Sequence, residues 1–154
     1  MGSEMCIRDS SEGGSVRAHR LAKLEELVSK LRKSSQVALE DYLENDDLQA
    51  AVERRLQLAA QICIDIANHL ISRLRLRIPD DETNLFVILA GSGVISKDLG
   101  ERMKGLIRFR NILVHNYLEV DPEIVYNNLR RNISDFTEFA EQIGRFVEGE
   151  AGEG

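Results

Sequence analysis

The sequence predicts an all-α fold, a single antiparallel helical bundle, and three observations support this prediction. The 154 residues include only two prolines and no tryptophan. Apolar residues recur at three- and four-residue steps through most of the chain, which is the period of an amphipathic helix. No segment has a convincing strand pattern, and no internal repeat is found. A chain of this length is about one domain, so the helices are expected to share one core.

The first half of the chain predicts two long helices separated by a short segment. Apolar residues at helical spacing predict a first helix from about Val16 to Lys33. Residues 37–43 form a short second helix or continue the first. The longest apolar stripe runs from Leu48 to Leu74 and stops before Pro79, because proline clashes with the preceding turn and lacks a donor. We expect this long helix to be the spine against which the others pack.

The second half of the chain predicts three further helices with local start signals. A short helix is predicted at residues 85–89, and Ser96 can cap a longer one over residues 99–114. The triplet Asp121-Pro122-Glu123 combines an N-cap, a proline preset for the first turn and an acid favoured by the helix dipole. The last helix is expected to carry apolar residues as far as Phe146.

The two termini are predicted to be disordered and to flank a domain of residues 16–147. Residues 1–15 show no apolar period, contain Gly13-Gly14 and open with Gly2-Ser3, which resembles a cloning scar. Residues 148–154 carry too few apolar groups to order themselves.

Charge and cysteine content argue against several classes of protein. Cys6 and Cys63 form no disulfide framework, no apolar run approaches the roughly 18 residues of a membrane span, and no signal peptide is recognisable. A cytoplasmic location without a membrane partner is therefore expected. The net charge is −6, and residues 119–154 supply all of it. This argues against a broad nucleic-acid groove but allows a small basic site.

Four polar residues that could carry chemistry lie within a short stretch of the penultimate helix: Arg110, Asn111, His115 and Tyr117. At about 100° per residue, Arg110 and Tyr117 share one face, and Asn111 and His115 share the adjacent face. Arg110 and His115 diverge on a straight helix. They converge only if the helix ends or bends between them, or if a second copy of the chain contributes its own pair. On residue types alone, ordinary surface or interface polar residues are the simpler interpretation.

This string resembles the R-x4-H-x-Y signature of HepT-like toxins, a branch of the HEPN (higher eukaryote and prokaryote nucleotide-binding) superfamily. Neighbouring segments resemble the family too, and the likeness runs from about Val16 to Phe146. They are Gln57-Leu58-Ala59, Ile64-Asp65-Ile66-Ala67-Asn68-His69-Leu70, Gly93-Val94-Ile95-Ser96 and Val120-Asp121-Pro122.

The resemblance implies a metal-independent endoribonuclease that acts as a two-fold dimer, in which Arg110 and His115 of both protomers line one cleft beside Asn111. The residue types suit this chemistry, since RNA supplies its own 2′-OH nucleophile. A histidine can move protons near neutral pH, and an arginine presents a planar fork to phosphate oxygens. No cofactor or metal is expected, because the histidines lie far apart and no acidic cluster has ligand spacing. We expect a lone bundle to leave Ile107, Leu113 and Val114 partly exposed.

The resemblance also implies a protein partner. HepT-like proteins pair with minimal nucleotidyltransferase (MNT) antitoxins, which transfer AMP from ATP to the tyrosine of the motif, Tyr117 in this chain. A nucleotide there would place bulk and negative charge beside Arg110 and so block RNA phosphate. Without the resemblance, Tyr117 is better interpreted as a residue that packs at the helix end.

Other polar residues carry weaker predictions. Arg102, Lys104 and Arg108 precede the motif and are candidates for RNA contact. Asp65 and His69, with Asn68 between them, interrupt the stripe of the long helix. They are surface or satisfied core polar residues, or they orient the motif from behind. A second arginine group is most simply a solvated face; it comprises Arg54, Arg55, Arg73, Arg75 and Arg77.

Two functions remain open at this point. The first is the ribonuclease toxin of a HEPN/MNT pair, and the second is a non-catalytic helical subunit that docks on a nucleotidyltransferase or presents substrate to it. The Arg110–His115 pair favours the first, because a docking helix needs neither residue. The acidic overall charge favours the second. An RNA cleavage assay with and without His115 distinguishes them.

Overall fold

The structure is a computed structural model that describes residues 10–115 and 120–153. Within these ranges the chain forms α-helices and one short 3-10 turn at Glu82–Asn84, with no strand, so the predicted all-α fold is confirmed. None of the helices in these ranges is long and apolar enough to cross a membrane. The helices are α1 (Ser10–Ser34), α2 (Leu39–Leu43), α3 (Asp46–Arg73), α4 (Leu85–Gly91), α5 (Lys97–His115) and α6 (Pro122–Glu153).

Side-chain caps set the starts of the later helices. Asn45 precedes α3, and its side-chain oxygen accepts a hydrogen bond of 3.0 Å from the backbone N–H of Leu48. Before α5, the Ser96 hydroxyl accepts from the backbone N–H of Leu99 at 3.2 Å. Asp121 accepts in the same way from the first turn of α6 at 2.9 Å. Each bond satisfies a donor that a helix N-terminus otherwise leaves free, which confirms the start signals at Ser96 and Asp121.

The long helix α3 is the spine that its apolar stripe predicts. It packs against α1, α4, α5 and α6. Behind it, the Phe86 ring of α4 meets the Phe139 ring of α6 edge to face, with centroids 5.5 Å apart. The buried residues of α3 are Val52, Leu56, Ala59, Ala60, Cys63, Ile64, Ile66, Ala67, Leu70 and Ile71. This layer fixes α5 and therefore the segment that carries the candidate chemistry.

The two terminal helices extend beyond the predicted domain of residues 16–147. Helix α1 begins at Ser10 rather than at Val16, and α6 continues to Glu153. Near its end, a carboxylate oxygen of Glu150 accepts from Arg73 of α3 at 2.6 Å and lies 4.0 Å from the Arg17 guanidinium of α1. These ion pairs join residues that are far apart in the chain, so no local apolar pattern could indicate them.

Candidate active site

The Arg110 guanidinium is held in place by side chains from three parts of the fold. It donates to the Gln61 side-chain oxygen on α3 at 2.7 Å and to the Asn111 side-chain oxygen at 3.0 Å. A carboxylate oxygen of Glu82, in the 3-10 turn, lies 3.5 Å from the same group. The Arg110 side chain remains 20% exposed. One edge of the cation is therefore fixed by the protein while part of it remains open to a ligand.

A second hydrogen bond supports this arrangement from behind. The Gln61 side-chain nitrogen donates to a carboxylate oxygen of Asp65, one turn later on α3, at 2.9 Å. The bond turns the Gln61 oxygen towards Arg110, because an amide offers its acceptor and its donors at opposite ends. Asp65 thus takes part in orienting the motif, the second of its two sequence interpretations. The sequence pattern did not identify Gln61 as a partner of the motif. The available signal was its spacing of four residues from Asp65, which places both residues on one helix face.

The other two polar residues of the same α3 segment lie elsewhere. Asn68 is exposed, and His69 is half-buried beside a group of arginines. Burial, followed by the charges of Arg17, Arg20 and Arg73, lowers the pKa of His69 below its ordinary value. His69 therefore belongs to the end of the bundle where α1, α3 and α6 meet.

His115 is the last residue of α5 and is exposed. Among the described residues, no hydrogen bond or ion pair joins it to Arg110. Both residues belong to the continuous helix α5, where a spacing of five residues separates them by about 140° around the helix axis. Tyr117 lies outside the described residues.

The three predicted RNA contacts have different surroundings. Arg102 is enclosed by carboxylates, with oxygens of Asp135 and Glu138 each at 2.7 Å and Asp98 at 2.9 Å. These bonds, the one from Glu138 foremost, raise the pKa of Arg102 above its ordinary value. Its charge is thus offset by acids that are distant in sequence or precede it on α5.

Lys104 and Arg108 remain available near the Arg110 site. Hydrogen bonds from Thr83, with Arg108 and Lys104 nearby, hold the pKa of Asp81 below its ordinary value. Both cations therefore lie close to the turn that also carries Glu82. No ion pair involving Lys104 or Arg108 occurs within residues 10–115 and 120–153.

The apolar surface near the motif differs from the sequence expectation. Ile107 and Leu113 are 0% and 1% exposed, so they belong to the protomer's own core. The exposed apolar side chains are Ile112 and Val114 in the last turn of α5, at 50% and 38%, and Ile124 in the first turn of α6, at 52%. The prediction of a helix here is confirmed. However, α5 packs against α3, α4 and α6, so more of its sides are buried than a single apolar stripe indicates.

A family model described as ribonuclease HepT-like matches residues 20–143. The chain belongs to this ribonuclease HepT-like family. The matched range contains Arg110, His115 and Tyr117, together with the Gln61–Asp65 support. No group of three or more metal-ligating side chains is found in the described part of this family member.

Curated relatives and a solved structure extend this assignment. The chain is 35% identical to the mRNA nuclease HepT of Shewanella oneidensis over 96 residues, which is 62% of this chain and 72% of the relative. It is 27% identical to the tRNA nuclease HepT of Aphanizomenon flos-aquae over 128 residues, or 83% of this chain and 87% of the relative. The fold resembles the tri-AMPylated Shewanella oneidensis HEPN toxin in complex with its MNT antitoxin, with a TM-score of 0.77 and 27% identity, covering 84% of this chain and 97% of that one.

Proposed function

We propose that this chain is the ribonuclease toxin of a HEPN/MNT toxin–antitoxin pair, with Arg110 and His115 as its catalytic residues. The observation that carries the proposal is the Arg110 guanidinium, held by Gln61 and Asn111 yet partly open. A surface arginine without function gains little from being fixed by several partners, since ordering it costs side-chain entropy. A fixed, partly open cation suits a phosphate whose charge rises in the transition state. The nuclease relatives support the same activity.

In the proposed reaction, the RNA 2′-OH attacks the adjacent phosphorus and forms a 2′-O–P bond, and the P–O5′ bond breaks. One histidine takes the 2′-OH proton, and a second histidine gives a proton to the leaving 5′ oxygen. Arg110 stabilises the charge on the phosphate oxygens. The products are a 2′,3′-cyclic phosphate and a 5′-OH. No step requires a metal ion.

This chemistry uses two histidines, and we propose that a two-fold dimer supplies them. A spacing of five residues separates Arg110 and His115 by about 140° around α5, so a partner protomer's pair would complete the cleft. The exposed apolar side chains of Ile112 and Val114, which precede His115 in α5, and of Ile124 at the start of α6 are surfaces that a second copy would cover.

We propose that Lys104 and Arg108 contact the RNA and that Arg102 does not. Lys104, Arg108 and His115 lie near one face of α5, because spacings of four and seven residues are close to whole turns. RNA entering the cleft along α5 would pass these two cations. Arg102 already has three carboxylate partners, which RNA phosphate would have to displace.

The catalytic proposal is tested with His115→Ala and Arg110→Ala in an RNA cleavage assay. Each should abolish cleavage and growth arrest while the helical signal and the oligomeric state remain unchanged. Arg110→Lys should also be poor, because the planar fork is lost. His19→Ala and Arg54→Ala, at exposed positions on α1 and α3, are the matched controls. Cleavage should persist in EDTA and leave a 2′,3′-cyclic phosphate.

Two outcomes contradict this proposal. Cleavage by His115→Ala at the wild-type rate removes His115 from the mechanism. A pure wild-type chain that cuts no RNA but binds a nucleotidyltransferase supports the docking subunit instead, which the net charge of −6 also favours.

We further propose that an MNT nucleotidyltransferase silences the toxin by transferring AMP to Tyr117. Incubation with the cognate enzyme, Mg²⁺ and ATP should raise the mass of the chain by one or more AMP units. Tyr117→Phe keeps the ring but removes the acceptor oxygen, so it should refuse AMP and stay toxic when the antitoxin is present. Labelling of Tyr42 or Tyr126 in that variant, at the wild-type level, would contradict the assignment while the ribonuclease proposal stands.

A further inference from the structure

We propose that a pocket between α5 and α6 binds one base of the RNA next to the cut site and sets the base preference of cleavage. This inference rests on the proposed ribonuclease function. The pocket has a volume of about 300 Å³, and its lining includes Gly105 and Phe109 from α5 and Asn128, Arg131 and Asn132 from α6. We refer to it as the α5–α6 pocket.

The hydrogen-bonding capacity of Asn132 is the first observation. The residue is only 5% exposed, and within the described ranges its side-chain amide makes no hydrogen bond. Because the residue lines the pocket, its amide can form hydrogen bonds with the polar edge of a ligand bound there. An amide both donates and accepts, as do the edges of RNA bases.

The Asn128 amide and the Asp135 carboxylate of the pocket are already engaged. The Asn128 amide donates to the backbone oxygen of Ile124 at 2.8 Å and accepts from Arg131. Asp135 is paired with Arg102 at 2.7 Å. Of the two lining asparagines, Asn132 is therefore the one whose amide has no partner among the described residues.

The remaining walls suit a flat aromatic ligand. Phe109 is partly buried and offers an aromatic ring of the kind on which single-stranded bases stack. On the same helix, a Cβ placed on Gly105 meets no atom within 4 Å, so the glycine leaves open space. Arg131 is exposed at the rim, where its charge is available to the RNA backbone.

The position of the pocket connects it with the reaction. Phe109 directly precedes Arg110, and His115 follows six residues later, about 9 Å along the helix axis. A base in the pocket would thus belong to a nucleotide close to the phosphate that Arg110 holds. The α5–α6 pocket is separate from the Gln61 side of Arg110, so it can change without disturbing the catalytic residues.

The pocket is tested by mapping cleavage sites in a pool of random short RNAs. Wild type should prefer one base at a position beside the cut. Asn132→Asp keeps the side-chain shape but replaces the two amide N–H donors with an acceptor oxygen. Gly105→Leu fills the pocket with a side chain from α5. Each should change that preference by about tenfold, the scale of one or two hydrogen bonds, and raise KM more than it lowers kcat. Gly144→Ala, which adds one carbon in open space on α6 away from the pocket lining, should keep the wild-type preference.

Direct binding gives a second readout that does not depend on activity. The four nucleoside monophosphates are titrated into the wild-type chain while the Asn132 amide and Phe109 ring signals are followed by NMR. Saturable shifts with at least one nucleotide are expected, and Gly105→Leu should abolish them.

These experiments separate the two proposals. If wild type cuts RNA but both variants keep its base preference and KM, the pocket proposal is wrong and the ribonuclease proposal stands. If wild type cuts no RNA, the titration decides: shifts at Asn132 and Phe109 that Gly105→Leu removes support the pocket, and their absence overturns it.

Discussion

The side chain of Arg110 shows how the fold prepares a single residue for chemistry. Gln61 accepts from it at 2.7 Å, and Asp65 in turn accepts from Gln61 at 2.9 Å. A free arginine samples many rotamers, so this chain of bonds reduces the entropy that the transition state would otherwise have to lose. Gln61 and Asp65 therefore act through Arg110 rather than on the RNA.

Replacing Gln61 by leucine should reduce kcat about tenfold to a hundredfold, because a hydrogen bond to a charged group contributes roughly 1.5–3 kcal/mol. KM and the unfolding temperature should change little. Gln57→Leu, one turn earlier on α3 and also half-buried, is the matched control and should behave as wild type. Single-turnover cleavage measures the effect. Equal rates for the two variants would show that Arg110 needs no support from α3.

His69 makes stability depend on pH. Burial and the nearby charges of Arg17, Arg20 and Arg73 lower its pKa in the folded state. The unfolded chain therefore binds a proton at a pH where the folded chain does not. Folding stability consequently falls as the pH drops below about 6.5, the ordinary histidine pKa, towards the lowered value.

His69→Gln should weaken this dependence, which denaturant unfolding between about pH 7 and pH 5 can measure. His19→Gln, at an exposed position on α1, should retain the wild-type dependence. If the unfolding free energy of wild type and of His69→Gln changed equally with pH, the argument would be contradicted.

At the scale of helices, one glycine decides how closely α4 and α5 approach. A Cβ on Gly100 would lie 2.9 Å from the Ala90 Cβ and 3.1 Å from the Phe86 carbonyl oxygen. Neither atom is the end of a flexible side chain, so a substitution has to move a helix. The close crossing sets the position of α5 and so of the motif at its other end.

Gly100→Ala should destabilise the protein by about 1–3 kcal/mol, the usual cost of overpacking, although alanine is the better helix former. Gly105→Ala on the same helix meets no atom within 4 Å and should instead stabilise the protein by about 0.5–1 kcal/mol. Thermal unfolding of both variants tests the pair. A stabilised Gly100→Ala would show that α4 and α5 separate readily.

At the scale of the whole molecule, three of the five large apolar side chains that are exposed among the described residues lie at the end of α5 or the start of α6. Ile112, Val114 and Ile124 are 50%, 38% and 52% exposed, and Ile112 and Val114 come shortly before His115 in α5. The proposed two-fold dimer would cover them and bring two motifs into one cleft.

Val114→Asp should shift the mass measured by light scattering from a dimer to a single chain of 17.4 kDa and abolish RNA cleavage. A buried, unpaired carboxylate at an apolar interface is strongly unfavourable. Leu43→Asp changes a side chain of similar exposure, 39%, on another helix and should leave the dimer intact. A Val114→Asp monomer that still cleaves RNA would contradict the shared cleft.

The sequence by itself determined the all-α fold, the spine helix, the start signals at Ser96 and Asp121, and the presence of the Arg110–His115 motif on α5. Periodic apolar residues, helix caps and short motifs are local properties of the sequence. They can therefore be recognised without knowing which helices pack against each other. The tertiary structure alone decided that Gln61 holds Arg110, that Asp135 and Glu138 offset Arg102, and that Leu113 is buried while Ile112 is exposed. These facts depend on how separate helices pack, and side chains that meet across that packing have no fixed spacing in the sequence.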